Sequence, residues 1–158
     1  MSLSPFQALI DAHGAAVHRF LVASVGPSEA EDCFQEACIA ALRAYPRLAH
    51  GDNLRAWLMR IAQRKVIDAH RARARRPLPV AAMREARGDG PPPEPIDGEP
   101  AVWAHVRALP DKQRAAVFLR SAAELSYAEV AEALDCSQEA ARRNVHEALK
   151  RLREELSV

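Results

Sequence analysis

A chain of 158 residues, 49% hydrophobic and with a formal net charge of +1, has room for one ordinary domain or two small ones. Aromatic residues are scarce, alanine is abundant and no run of alternating β-branched residues is long enough for a strand, so an all-α fold is expected. Three cysteines (Cys33, Cys38, Cys136) that form neither an even set nor a C-x-x-C pair, no leader-like N-terminus and no apolar run of membrane-spanning length argue against a disulfide framework, a zinc site and membrane insertion, and for a soluble, cytoplasmic protein.

Phe6, Leu9, Ile10, Val17, Phe20 and Leu21 fall on one helical stripe, which Gly26-Pro27 ends. Ser28 followed by Glu31 predicts a capping box opening a second helix that runs to Pro46, with Ala30, Cys33, Phe34, Ala37, Ala41 and Tyr45 inward. Its other face carries Asp32, Gln35, Glu36, Ile39 and Arg43, a mixture that suits either solvent or a partner helix.

After a loop over Arg47 to Asn53, a third helix is expected from Leu54, burying Leu54, Trp57, Leu58, Ile61 and Val66. Arg60, Arg64, Arg71 and Arg75 make a basic stripe, broadened by Lys65, Arg73 and Arg76. Residues 51–76 hold eight Arg or Lys against two Asp, so the near-neutral chain conceals a concentrated basic stretch. Cations crowded on one helix repel one another, and an anionic partner such as nucleic acid explains them better than solvent alone.

Residues 77–100 hold two basic residues against five acidic ones and include Pro91-Pro92-Pro93 and Pro95, which predicts a flexible linker with polyproline character. The chain is thereby divided into two small helical domains, 1–76 and 100–158, on either side of a linker at 77–99. Beyond it, Pro100 suits a first helical position, Val102, Trp103, Val106 and Leu109 lie on one side, and Leu109-Pro110-Asp111 restarts a helix containing Val117 and Leu119.

Ser126 and Glu129 form a second capping-box pattern, with Val130, Ala131 and Leu134 as the buried face of a short helix. Asp135-Cys136-Ser137 interrupts it, and Ser137 is placed to cap a longer helix with the inward stripe Ala141, Val145, Leu149, Leu152 and Leu156. Two helices joined by so tight a turn form a helix-turn-helix, for which small Ala131 suits the crossing and Asp135 must take the left-handed conformation usually given to glycine. Gln138, Glu139, Arg142, Arg143 and His146 then lie outward at the start of the second helix, where such motifs meet base edges and phosphates.

Taken in order, these segments resemble bacterial RNA polymerase sigma factors of the compact, extracytoplasmic-function (ECF) type. E29-A-E-D-C-F-Q-E36 is similar to the family's polymerase-docking segment, L54-R-A-W-L-M-R-I-A-Q-R-K-V-I-D68 to its promoter-melting segment, and the run to Arg76 to its helix for the minus-ten element. A108-L-P-D-K-Q-R114 and L125-S-Y-A-E-V-A-E-A-L134 are similar to the start of its fourth region, which reads the minus-thirty-five element. Asp135, Ala141, Asn144 and Glu147 depart from the family pattern.

The resemblance implies a promoter-specificity subunit with no catalytic activity and no cofactor, metal or small-molecule substrate. Asp32, Gln35, Glu36, Ile39 and Arg43 would hold core RNA polymerase. Asn53, Arg60, Arg64, Lys65, Arg71, Arg73, Arg75 and Arg76 would bind and open promoter DNA, with the Arg47 to Asn53 loop taking an unstacked base. Ser137, Gln138, Glu139, Arg142, Arg143 and His146 would meet the upstream element. An anti-sigma factor is a further implied partner, and with nothing fused beyond Val158 the signal would be sensed by that partner.

Two other classes are weighed. A helix-turn-helix regulator acting without polymerase needs a dimer to span two half-sites, and no heptad repeat supplies one. An enzyme finds no H-E-x-x-H, glycine-rich phosphate loop or nucleophile elbow.

Overall fold

The computed structural model describes residues 6–48, 53–75 and 101–157, and all regular structure among them is helical. The linker 77–99, Arg76, Pro100 and most of the loop before Asn53 lie outside the described residues. Helices α1 (Phe6–Val25), α2 (Pro27–Ala44) and α3 (Leu54–Ala74) form one unit, with a 3₁₀ turn at Tyr45–Arg47 after α2. The second unit comprises α4 (Ala101–Arg107), α5 (Asp111–Val117), α6 (Tyr127–Leu134) and α7 (Gln138–Leu156), and α5 runs on into a π-helical turn at Phe118–Ala122.

A single residue separates α1 from α2. Gly26 makes the reversal at φ 86°, a conformation that costs other residues strain. Pro27 opens α2 at a position where no N–H is needed. The expected Ser28–Glu31 capping box is therefore not formed: the helix starts one residue earlier, no side chain caps it, and Glu31 meets His18 at 3.0 Å instead. Phe20, Leu21, Leu58 and Met59 are fully buried between the helices, each stabilising the unit by about 1.5–3 kcal/mol. Small residues on α2 (Ala30, Cys33, Ala37, Ala41) let the helices approach closely. Trp57 is partly buried, its ring 6.2 Å from that of Tyr45.

In the second unit the Ser126–Glu129 capping box is complete: Ser126 Oγ accepts from Glu129 N at 3.1 Å, and Ser126 N donates to Glu129 Oε1 at 2.9 Å. Asp135 takes the left-handed conformation at φ 53°, and Cys136 N donates back to Ala131 O at 3.0 Å, closing the C-terminus of α6. Ser137 Oγ accepts from Ala140 N at 3.1 Å and starts α7. Ala131 and Ala141 are both buried where the two helices cross.

The inward stripe of α7 differs from the expected one. Ala141, Val145, Ala148 and Leu152 are buried, whereas Leu149 and Leu156 are 37% and 51% exposed. On a helix of 3.6 residues per turn, a step of three from Val145 keeps Ala148 on the buried face, whereas the steps of four to Leu149 and from Leu152 to Leu156 drift outward. Val102 on α4 is likewise exposed, whereas Ala104 and Val106 are buried.

The two units do not stand apart. Phe20 of α1 and Phe118 meet at 5.3 Å between ring centroids, and one cluster of buried residues continues from α1, α2 and α3 into α5 and α6. Arg114 of α5, 5% exposed, donates to Ser24 O of α1 at 3.1 Å.

Candidate nucleic-acid and polymerase interfaces

Packing of α2 on α1 and α3 through its small residues leaves Asp32, Gln35, Glu36, Ile39 and Arg43 exposed along one side. Ile39 is 50% exposed, and Leu42 beside it, which was expected on neither face, is 55% exposed. The result is an acidic face with an apolar centre, the composition of a protein-docking surface whose charges steer and whose aliphatic groups bury. Cys33 lies beneath it, its thiol pushed up by burial and then by Glu36, Glu29 and Asp32; burial likewise raises Cys38. Both are poorer nucleophiles than a free thiol.

On α3, Arg64, Arg71 and Arg75 are exposed and make no ion pair among the described residues, as a phosphate-binding face requires. Lys65 is half-buried. Arg73 is occupied within its own unit, reaching Glu29 Oε1 at 2.6 Å and Val25 O at 3.5 Å, and so closes the end of α1. The structure takes Arg60 and Asn53 elsewhere: Arg60 donates to Glu132 and Asn53 to Glu129, both on α6, while Asn53 Oδ1 accepts from Ala56 N at 3.1 Å as the cap of α3. Arg55, missed in the sequence, lies on the same side, 3.7 Å from Glu124.

At the start of α7, Gln138, Glu139, Arg142, Arg143 and His146 are all exposed, with Ser137 occupied as the cap. Tyr127 at the start of α6 was not picked out from the sequence, although an aromatic at the first position of the helix-turn-helix is its signal. Its ring has the Arg120 guanidinium 4.5 Å and the Arg142 guanidinium 5.2 Å from its centroid. Arg120 is tied to Leu125 O at 2.9 Å, so the ring presents Arg142 from a fixed base. Tyr127→Ala is expected to weaken upstream-element binding by roughly threefold, with Tyr127→Phe near wild type, since the ring face and not the hydroxyl holds the cation. Fluorescence anisotropy on the same duplex for both variants checks this.

This is the architecture of an all-α protein with one helix-turn-helix and one basic helical face. Residues 9–76 match sigma-70 region 2, and residues 101–152 match sigma-70 region 4. The chain is 36% identical over 151 residues to the ECF RNA polymerase sigma factor SigD of Mycobacterium tuberculosis, covering 89% of this chain and 71% of that protein. It is 37% identical over 132 residues to the ECF RNA polymerase sigma factor ShbA of Streptomyces griseus, covering 78% of this chain and 69% of that one. Among solved structures it is similar to the sigma factor RpoE of Bartonella quintana in complex with the anti-sigma factor NepR, with TM-score 0.76, 25% identity and 97% of each chain covered. The fold of CnrH, solved with the cytosolic domain of CnrY, is also similar, with TM-score 0.67, 24% identity and coverage of 96% and 87%.

The chain belongs to the ECF sigma factors of the sigma-70 family. These are transcription initiation factors that direct RNA polymerase to promoters, and that is what this protein does.

Proposed function

We propose that the two units divide the work: 1–76 docks on polymerase and binds and melts the minus-ten element, 100–158 reads the minus-thirty-five element, and 77–99 spans between them. The exposed face of α2, with Asp32, Gln35, Glu36, Ile39, Leu42 and Arg43, is the polymerase contact. Arg64, Arg71 and Arg75, extended by Arg76, follow the promoter backbone, while Gln138, Arg142 and Arg143 enter the major groove. The observation that carries this reading is that three chemically distinct faces stand exposed on one chain, acidic and apolar on α2, basic on α3, and mixed amide and guanidinium on α7.

The chain itself catalyses nothing in this reading and acts in the cell interior, where polymerase is. A separately encoded anti-sigma factor competes for the Asp32 to Arg43 face, as the similar RpoE was solved with NepR. In this reading the inducing signal is sensed by that partner.

The test is reconstitution with core polymerase on genomic template, followed by sequencing of the transcripts. New start sites sharing two spaced elements are expected. Within that assay Arg142→Ala should lower initiation by roughly tenfold and relax the upstream element at one position, the size of one lost base contact. No co-purification with polymerase and an unchanged set of transcripts would favour an operator-binding regulator instead.

A further inference from the structure

Glu139 is exposed in the first turn of α7, and its carboxylate makes no hydrogen bond or ion pair among the described residues. At about 3.6 residues per turn it falls between Gln138 and Arg143, on the arc that also carries Arg142 and His146. That arc lies across the helix from the buried stripe of Ala141, Val145, Ala148 and Leu152. A carboxylate is thus set in a surface otherwise made of amide, imidazole and guanidinium groups. Repulsion from phosphates makes the placement costly for a helix that has only to hold a DNA backbone.

Local structure does not account for it. Ser137 Oγ already accepts from Ala140 N at 3.1 Å, so α7 is capped without Glu139. Arg142 and Arg143 stand three and four residues on, the spacings at which helical ion pairs form, yet neither pairs with it. Arg142 is held over the Tyr127 ring instead, 5.2 Å from its centroid, which keeps its guanidinium apart from the carboxylate. One turn of helix therefore presents an acceptor and a donor side by side, neither neutralised by the other.

An ionised carboxylate accepts hydrogen bonds and cannot donate them. In the major groove, guanine shows two acceptors, thymine an acceptor and a methyl group, and adenine an acceptor beside its amine. Cytosine alone shows a donor, its N4 amine, with no acceptor next to it. We infer that Glu139 is a specificity-determining residue for the upstream element, accepting from the N4 amine of one cytosine and excluding the other three bases there. This deepens the reading that α7 enters the major groove, and rests on it. Arg142, one turn further along, supplies the complementary donor for guanine N7 and O6, so the element read by this helix joins a cytosine contact to a guanine contact.

The experiment reconstitutes the full chain with core polymerase on one promoter from which it initiates. The upstream element is randomised, each template carries a transcribed barcode, and the transcripts are sequenced. Wild type is expected to favour cytosine at one position by about tenfold. Glu139→Ala should lose that preference. Glu139→Gln should move it to adenine at the same position, because a neutral amide accepts from N6 and donates to N7. Glutamine is as good a helix former as glutamate, so folding is retained. If both variants raise initiation evenly over all templates and change no position, the carboxylate acts through charge and the helix dipole alone, and the inference is overturned. A wild-type preference for another base at the position they alter overturns the cytosine assignment. Arg142→Ala in the same library keeps the two readings apart. If it relaxes its own position while the Glu139 variants relax none, only the inference about Glu139 fails. If neither wild type nor any variant shows a preference within the element, α7 is not the reading helix and both fail.

Discussion

Asp32→Lys/Glu36→Lys is expected to abolish co-purification with core polymerase, weakening binding by about 100-fold or more, because like charges brought together at an interface cost several kcal/mol. Both carboxylates are exposed on the outward side of α2, and neither makes an ion pair among the described residues. The helix loses no internal contact, and lysine is as good a helix former as glutamate, so stability should change by no more than about 0.5 kcal/mol. Circular dichroism and a urea transition unchanged from wild type, together with lost co-purification, are the expected pair of results. A folded double variant that still co-purifies at wild-type yield would remove α2 from the docking interface.

The apolar centre of that face refines the expectation. Charge reversal acts through approach and exclusion, whereas Ile39 and Leu42 supply area that only a tightly fitted partner buries. An anti-sigma factor that competes for the same face need not use the same charges, so the double lysine variant can separate the two partners in binding assays.

What was legible in the sequence is what depends on neighbours along the chain. The Ser126–Glu129 box, the Ser137 cap and the left-handed Asp135 all involve residues within a few positions of one another, and all are found in the expected geometry. The same local pattern failed at Ser28–Glu31 because a second local signal, Gly26-Pro27, lay nearer the helix start and displaced it. The stripe of α7 was half right, since periodicity defines a face but a drift of one residue decides whether Leu149 or Ala148 points inward.

Of the candidate site, exposure of the α2 and α7 residues follows from helical phase and could be read directly. Pairing across the units could not. Arg60 and Glu132, Asn53 and Glu129, and Arg114 and Ser24 are separated by 72, 76 and 90 residues, and nothing local marks any of them as partners. An arginine on a basic stripe looks the same in sequence whether it faces DNA or a carboxylate of its own chain.

Arg114 is the residue whose loss should cost the fold most among the charged positions. Its guanidinium donates through Nη1 to Arg107 O and Leu109 O, each at 3.2 Å, and through Nη2 to Ser24 O at 3.1 Å and Asp111 Oδ1 at 2.6 Å. Ser24 and Arg107 stand in the last turns of α1 and α4, so one side chain satisfies carbonyls at the ends of two helices from different units. Burial lowers its pKa and Asp111 opposes the shift, and the guanidinium remains charged, as arginine does throughout the accessible pH range. Arg114→Ala removes four hydrogen bonds from a buried junction and should destabilise the protein by on the order of 3 kcal/mol in urea denaturation. Arg114→Lys should recover only part of this, because an ammonium cannot reproduce the planar fork that reaches both sides. Lys112→Ala, one turn edge away and exposed, is the control and should be silent. If Arg114→Ala shifts the urea midpoint no more than Lys112→Ala, the two units do not depend on this junction, and their packing is held by the other contacts between them, the ring pair Phe20 and Phe118 among them.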